Sequence, residues 1–234
     1  MKRGRGGPAE PPAMIAAMEN TAAREWGACD AFIAALDAAV KTLFGPLPPA
    51  TRAAPDQPLP ESDLDAEQRR LSEGLMRVNH SGEICAQALY TAQALTARDP
   101  VVRERMQQSA AEENDHLHWC ARRVRELGGH LSRLNPLWYL GSFAIGAMAG
   151  LAGDRWNLGF VAETERQVVA HLQDHLQRLP AADHKSRALV AQMEQDESRH
   201  ATKAIESGAA ELPPLIKDLM TLQSRVMTTV AYWI

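Results

Sequence analysis

The sequence is 234 residues long and carries a formal net charge of -4, from 25 basic and 29 acidic side chains. This length suits one domain with a substantial core, and the small, mixed charge excludes an extended nucleic-acid-binding surface. Aromatic residues make up only 5% of the chain, and no alternating apolar run is long enough for a sheet. Because Ala, Leu, Gln, Glu and Arg are plentiful, we predict an all-α fold.

Residues 1–61 differ in composition from the rest and are predicted to form an N-terminal extension. Residues 1–13 are rich in Gly, Pro and Arg and are predicted to be disordered. A short amphipathic helix is predicted from Asp30, as its N-cap, to a stop at Gly45, with one apolar side packed against the body. That side comprises Phe32, Ile33, Leu36, Val40 and Leu43. The six prolines of residues 46–61 predict a linker.

The main domain, residues 62–234, is predicted to contain four long helices, because apolar residues recur at helical spacing between strong breaks. The predicted helices cover residues 65–97, 100–127, 155–179 and 182–207. Asp99-Pro100 and Pro180 leave only short turns within each pair, so each pair is expected to form an antiparallel hairpin. The long connection between the two pairs is typical of a four-helix bundle with one crossover.

The pattern Glu-x-x-His occurs twice, as Glu113 with His116 and as Glu197 with His200. Residues three apart share a helix face, and each pair falls on an apolar stripe. The stripes are Met106, Glu113, His116, Cys120, Val124 and Leu127 on one helix, and Val190, Met193, Glu197, His200 and Ala204 on the other. A single copy is more often an exposed turn. A carboxylate that faces the core, however, is costly unless a cation pairs with it.

Each pattern follows a further glutamate, Glu83 being 30 residues before Glu113 and Glu165 being 32 residues before Glu197. One Glu from each of two helices and one Glu-x-x-His from each of the other two form the ligand set of ferritin-like di-iron carboxylate bundles. We therefore predict a ferritin-like bundle that holds two iron ions. Cys120 could in principle bind zinc, but its apolar surroundings favour core packing. The three cysteines show no paired spacing and indicate reduced thiols.

Residues 134–153, in the crossover, include no charged side chain. A bilayer-spanning helix needs about 20 apolar residues, so this run is near the lower limit, and Pro136 and several glycines weaken it further. We predict that it dips into one leaflet or lines an apolar channel, with a buried core helix as the alternative. A last amphipathic helix is predicted after Pro213-Pro214, covering the bundle or lying on the membrane. Its apolar side comprises Leu215, Leu219, Leu222, Val226, Val230 and Trp233.

These motifs together resemble the demethoxyubiquinone hydroxylases of ubiquinone biosynthesis. The resemblance covers residues 65–234 and is carried by Arg77-Val78-Asn79-His80-Ser81-Gly82-Glu83, Glu113-x-x-His116-Leu117, Glu165 and Asp196-Glu197-x-x-His200. It implies a di-iron monooxygenase that uses dioxygen to hydroxylate the ring of a polyprenyl methoxy-methyl benzoquinol, in the penultimate step of the pathway. It also implies peripheral, monotopic attachment to the cytoplasmic side of the cell membrane. The implied metal ligands are Glu83, Glu113, His116, Glu165, Glu197 and His200, and the four glutamates are the implied catalytic residues.

The central glutamates of the two Glu-x-x-His patterns are predicted to bridge the irons, with Glu83 and Glu165 as terminal ligands. Asp196 and Glu112, each directly before a central glutamate, are predicted to orient the histidines, with plain surface charge as the alternative. No Gly-x-Gly-x-x-Gly run follows a predicted strand. Electrons are therefore expected from the quinol, a loosely bound nicotinamide or a partner reductase. Other proteins of the pathway are further expected partners. Two other classes stay open: a ferritin-like iron store or peroxide-consuming protein, and a metal-free membrane scaffold that presents a quinone.

Overall fold

The computed structural model describes residues 27–45 and 49–234, and within these ranges the chain forms seven helices and no strand. The helices are α1 (Ala28–Phe44), α2 (Ala66–Thr96), α3 (Pro100–Glu126), α4 (Asn135–Leu151), α5 (Asp154–Arg178), α6 (His184–Glu206) and α7 (Pro214–Ala231). The all-α prediction is confirmed, and the four predicted bundle helices match α2, α3, α5 and α6. The segment predicted to be disordered, residues 1–13, lies outside the described residues.

Aspartates cap the starts of three of the four bundle helices, α2, α3 and α6. Asp65 accepts hydrogen bonds from two backbone N–H groups in the first turn of α2, each at 2.9 Å. Asp99 accepts one from the N–H of Val101 at 2.8 Å. The helix α6 begins later than predicted, because the carboxylate of Asp183 caps it by accepting a 3.0 Å hydrogen bond from the N–H of Ser186. The short turns between these caps pack α2 against α3 and α5 against α6.

Two apolar layers fill the inside of the bundle. One layer includes Leu75, Val124, Leu172, Leu189 and Met193, and the other includes Tyr90, Met106, Leu158, Val161 and Ala204. Both predicted apolar stripes of the Glu-x-x-His helices are buried, as expected. On each of the four helices, the residues predicted as metal ligands fall between the two layers in sequence. The carboxylates and imidazoles therefore form a polar layer enclosed on both sides.

The crossover helix α4 lies along α2, and its glycines allow the two helices to approach closely. A Cβ on Gly146 would lie 2.8 Å from the carbonyl oxygen of Leu89. The start of α4 is held by Ser81, whose hydroxyl donates a 3.0 Å hydrogen bond to Asn135. Four large apolar side chains point outward, so α4 is not the buried core helix of the alternative prediction: Leu137, Leu140, Met148 and Leu151. In the part of the chain that the structure describes, no helix has the length and apolar character needed to cross a bilayer.

The helix α1 begins earlier than predicted and packs through a different side. Its N-cap is Gly27, and Asp30, the predicted cap, lies in the first turn and accepts a 3.1 Å hydrogen bond from the N–H of Gly27. Ala35 is buried, and Ala39 and Leu43 pack against the body. Four of the five residues on the predicted side are instead at least half exposed: Phe32, Ile33, Leu36 and Val40. Because α1 is apolar on several sides, its small alanines, which permit close approach, decide which side packs.

The last helix, α7, covers the bundle with one side and presents its predicted apolar side outward. Met220, Met227 and Ala231 are buried against residues of α2 and α5. Arg77 of α2 holds the end of the helix by donating a 2.8 Å hydrogen bond to the carbonyl of Tyr232. The outward side includes five side chains that are more than half exposed: Leu215, Leu219, Leu222, Val226 and Trp233.

Residues 51–61, predicted to belong to a linker, pack on the bundle and are called the strap below. Ala54 is part of an apolar layer of the bundle. Asp56 is fully buried and accepts a hydrogen bond from Arg122 of α3. The strap and the bundle therefore share one packed core.

Candidate metal centre

Six side chains meet in the polar layer, and they are the six predicted from the sequence. They are Glu83 from α2, Glu113 and His116 from α3, Glu165 from α5, and Glu197 and His200 from α6, and none is more than 5% exposed. Ligand atoms of Glu83, Glu113, His116 and Glu197 lie within 4.8 Å of one another, as do those of Glu165, Glu197 and His200. Two neighbouring groups that could each hold a metal ion therefore share Glu197.

The two central glutamates each face both histidines. Nδ1 of His116 lies 2.9 Å from Oε2 of Glu113 and 3.0 Å from Oε1 of Glu197. Nδ1 of His200 lies 3.1 Å from Oε1 of Glu113 and 3.1 Å from Oε2 of Glu197. Each carboxylate thus offers one oxygen to each half of the centre, which is the arrangement that a bridging ligand requires.

Glu83 and Glu165 lie at opposite sides of this central group. Oε2 of Glu83 is 3.8 Å from Nδ1 of His116. Glu165 accepts a hydrogen bond from the hydroxyl of Tyr90, a buried residue of α2 that sequence reasoning missed. The sequence contained a pattern that could have identified Tyr90, because this residue follows Glu83 by two helical turns and lies on the same face of α2.

The buried charges shift the pKa values of carboxylates and imidazoles. Burial raises the pKa of Glu83 and of Glu165 well above the ordinary value, and the neighbouring carboxylates add to this. Burial opposes charging of the histidines too, but the central glutamates outweigh it, raising the pKa of His116 well above its ordinary value and that of His200 to about 12. Protons therefore balance the carboxylates until a metal cation replaces them.

The donor set fits a pair of divalent cations. Four buried carboxylates need positive charge that neutral imidazoles do not supply, and two divalent ions carry four positive charges. An oxygen-rich set with one imidazole for each ion is typical of di-iron and di-manganese bundles. Cys120 is not part of either ligand group. Its sulfur lies 3.7 Å from that of Met193 in an apolar layer, as the core-packing prediction required.

Asp196 and Glu112 orient the two histidines, as predicted, and each does so across the bundle. Nε2 of His116 donates to Oδ2 of Asp196 at 3.0 Å, and Nε2 of His200 donates to Oε2 of Glu112 at 2.7 Å. Because a carboxylate only accepts hydrogen bonds, these contacts leave Nδ1 of each ring available to a metal. Asp196 also accepts a hydrogen bond from Arg52 of the strap, 144 residues away. No local pattern in the sequence marks that contact.

A cavity opens beside the metal centre, between α2, α5 and α7. Three predicted ligands reach it, namely Glu83, Glu165 and Glu197. The rest of its wall is largely apolar and includes Leu89, Phe160, Val168, Met220 and Met227. Three of the six predicted ligands therefore line a largely apolar cavity on this side.

Polar atoms are also placed on the wall of this cavity. The lining residues Asn79, Thr164 and His171 each have a buried polar side-chain atom without a hydrogen-bond partner among the described residues. The ring of His171 packs on that of His175, with 3.9 Å between ring centres. Burial lowers the pKa of His171 to about 4. The imidazole is therefore neutral at pH 7 and can exchange a hydrogen bond with a polar group in the cavity.

A four-helix bundle with one crossover and a buried layer of four carboxylates and two histidines is the architecture of the ferritin-like carboxylate proteins, whose layer can hold metal ions. A profile of the family described as "Ubiquinone biosynthesis protein COQ7" matches residues 70–231. The chain belongs to this family, which confirms the family identified from the motifs.

Curated relatives match over almost their whole length. The 3-demethoxyubiquinol 3-hydroxylase of Nitrosococcus oceani is 56% identical over 205 residues, which cover 88% of this chain and 96% of that protein. The protein of the same name from Variovorax paradoxus is 58% identical over 203 residues, covering 87% of this chain and 97% of that protein.

Proposed function

We infer that the chain is a hydroxylating oxidoreductase of ubiquinone biosynthesis that acts on the ring of a polyprenyl methoxy-methyl benzoquinol, the demethoxy precursor. The observation that carries this conclusion is the buried carboxylate–histidine centre that opens onto an apolar cavity. The names of the curated relatives support the same reaction. In it, a ring C–H bond, dioxygen, two electrons and two protons give a ring hydroxyl and one water molecule.

We propose that the centre holds two iron ions, which would supply the activation of dioxygen when bound. Glu83, Glu113, His116 and Glu197 would hold one ion. The other would be held by Glu165 and His200 together with the two central glutamates, which have an oxygen on that side. The electrons would come from the quinol, a nicotinamide or a partner reductase, since the described part of the chain contains no strand to build a dinucleotide-binding fold.

The cavity can position the substrate through its own residues. Its apolar wall, with Leu89, Phe160 and Met227, would hold the ring and the start of the tail and exclude water. The neutral imidazole of His171 and the hydroxyl of Thr164 would exchange hydrogen bonds with the oxygen substituents of the ring. The reacting carbon would then face Glu165, Glu197 and the metal pair.

We further propose that the protein attaches to the cytoplasmic face of the cell membrane without spanning it. The apolar outward sides of α1, α4 and α7, called the apolar surface below, support this proposal. They adjoin one another, because Leu43 of α1 packs against a cluster that contains Tyr139 of α4, and Trp138 of α4 packs against one that contains Met227 of α7. Burial of each CH₂ of the tail is worth about 0.8 kcal/mol, so a substrate that enters from the bilayer avoids a large transfer cost.

The hydroxylase function is tested by product analysis under isotopically labelled dioxygen. The full-length protein, loaded anaerobically with Fe²⁺ and given a chemical reductant and a short-tailed demethoxyubiquinol, should yield a ring-hydroxylated product that carries the label. Glu197→Ala should abolish product formation, whereas Gln195→Ala, an exposed position on the same helix, should not. Oxidation of iron without product would favour the iron store, and quinone binding without iron would favour the scaffold.

The membrane proposal is tested by flotation with vesicles of anionic and neutral phospholipids. A Leu219→Glu, Leu222→Glu double variant of the apolar surface should lose vesicle binding by about tenfold or more, because two exposed leucines are replaced by charges. Gln195→Glu adds the same kind of charge at an exposed position of α6 and should bind as the parent does. Equal binding by all three proteins would remove α7 from the attachment surface.

A further inference from the structure

The strap reaches the metal centre through its first two residues. The N–H of Thr51 donates to Oδ1 of Asp115 at 2.7 Å, and Nε of Arg52 donates to Oδ2 of the same carboxylate at 2.9 Å. Nη1 of Arg52 donates to Oδ2 of Asp196 at 2.8 Å. Both aspartates are almost completely buried. One guanidinium group thus joins α3 to α6 across the end of the His116 ring.

Asp196 transmits this contact to the histidine. Its Oδ2 accepts from Arg52 and also from Nε2 of His116, at 3.0 Å. The guanidinium lies 5.0 Å from the centre of the Trp119 ring, and Trp119 in turn packs on His116 with 5.4 Å between ring centres. Arg52 therefore contacts both groups that hold the imidazole, Asp196 at its edge and Trp119 at one face. In this orientation Nδ1 of the ring points toward Glu113 and Glu197.

Among the described residues, no arginine supports the second histidine in this way, although Gln108 donates a 3.1 Å hydrogen bond to its partner Glu112. Its partner Glu112 has a side chain that is 35% exposed, and the cation beside it, Lys203, is 62% exposed and 4.0 Å away. A cavity whose lining includes Glu112, His200, Lys203 and Arg105 opens at this side. An exposed pair at this distance contributes little to holding a geometry. The two halves of the centre have matching ligands but are held with different rigidity.

We propose that Arg52 is a positioning residue for the metal position at His116 and makes this position the tighter of the two. The inference rests on the metal centre of the proposed function. Arg52 is itself half-buried, but the two aspartates that it joins are buried, and this pairing fixes both the tautomer and the orientation of the imidazole through Asp196. An ordered ligand loses less conformational entropy when it binds a metal. Loss of such an outer contact typically lowers metal affinity by about 10- to 100-fold.

The test is an anaerobic titration of the metal-free, full-length protein with Co²⁺, followed by calorimetry and by the visible absorption of the bound ion. The parent protein should bind two ions in two separable steps. Arg52→Gln should weaken the first step by about 10- to 100-fold and leave the second unchanged. Arg52→Lys keeps the charge and can pair with only one aspartate at a time, so it should recover part of the affinity. Glu112→Gln should weaken the second step instead.

A matched control separates positioning from general packing of the strap. Arg122→Gln removes the contact to Asp56, which anchors the same strap, and leaves Arg52 and its partners in place. This variant should keep both binding steps, and circular dichroism should show the parent helix content in every variant. Equal loss in Arg122→Gln and Arg52→Gln would overturn the positioning role, as would two parent-like steps in a folded Arg52→Gln. If the parent itself binds no Co²⁺, the metal centre of the proposed function fails, and this inference fails with it.

Discussion

Alanine at Gly141 and at Gly146, both in α4, should change the stability of the protein in opposite directions. Neither glycine has a positive φ, so alanine suits the backbone at both sites. Alanine is favoured over glycine inside a helix by about 1 kcal/mol. At Gly141 an added Cβ meets no atom within 4 Å, so Gly141→Ala should increase the free energy of unfolding by about that amount.

At Gly146 the same substitution meets the backbone of α2. The Cβ would lie 2.8 Å from the carbonyl oxygen and 3.0 Å from the Cα of Leu89. Backbone atoms cannot rotate away as a side chain can, so α4 must move away from α2 to make room for the added Cβ. Overpacking of this kind costs about 1–3 kcal/mol, which outweighs or cancels the helix-propensity gain. Gly146→Ala should therefore lower the free energy of unfolding by up to about 2 kcal/mol.

Thermal unfolding followed by circular dichroism measures both effects. For a chain of this size, 1 kcal/mol corresponds to about 2–4 °C in Tm. Gly141→Ala should thus raise Tm by about 2–4 °C and Gly146→Ala should lower it by up to about 8 °C, in the same buffer and metal state. An equal rise in both variants would refute the reasoning, because α4 would then not rest on α2 at Gly146.

Three further outcomes follow from the site and its surroundings. Glu113→Ala should reduce the iron content from two ions per chain and leave helix content unchanged by circular dichroism; full iron content would exclude a bridging role. Because the pKa values of His116 and His200 are raised in the metal-free site, metal binding should release protons and affinity should rise with pH; calorimetric heats that do not depend on the ionisation enthalpy of the buffer would contradict this. Met148→Lys, or Ile145→Asp, should keep iron but weaken membrane attachment and turnover of a long-tailed quinol; equal loss on a short-tailed analogue would argue against entry from the bilayer.

Helical periodicity was sufficient to predict the bundle helices and the six residues of the polar layer. A ligand at i and another at i+3 are neighbours by local geometry alone, and the apolar residues around them identify the buried face. Asp196 and Glu112 could be predicted for the same reason, since each is next to a central glutamate. The same spacing argument could have predicted Tyr90 in the polar layer, because it lies two helical turns after Glu83.

Contacts between distant segments could not be predicted in this way. Arg52 pairs with aspartates that are 63 and 144 residues away in the sequence. The strap itself is rich in proline and alanine, and this composition is typical of a linker. Helical periodicity also could not predict which side of α1 and of α7 packs on the bundle, because both helices carry apolar residues on more than one side. A helix with two apolar sides can bury either one, and the shape of the neighbouring surface makes the choice.

The two hairpins complete each other's half of the polar layer. His116, in the first hairpin, faces Glu197 and Asp196 of the second, and His200 faces Glu113 and Glu112 of the first. During synthesis, the growing chain offers only the donors of α2, α3 and α5 before α6 has emerged, and both ligand groups still lack Glu197. Neither ligand group is therefore complete until α6 has been added to the chain and has packed against the first hairpin.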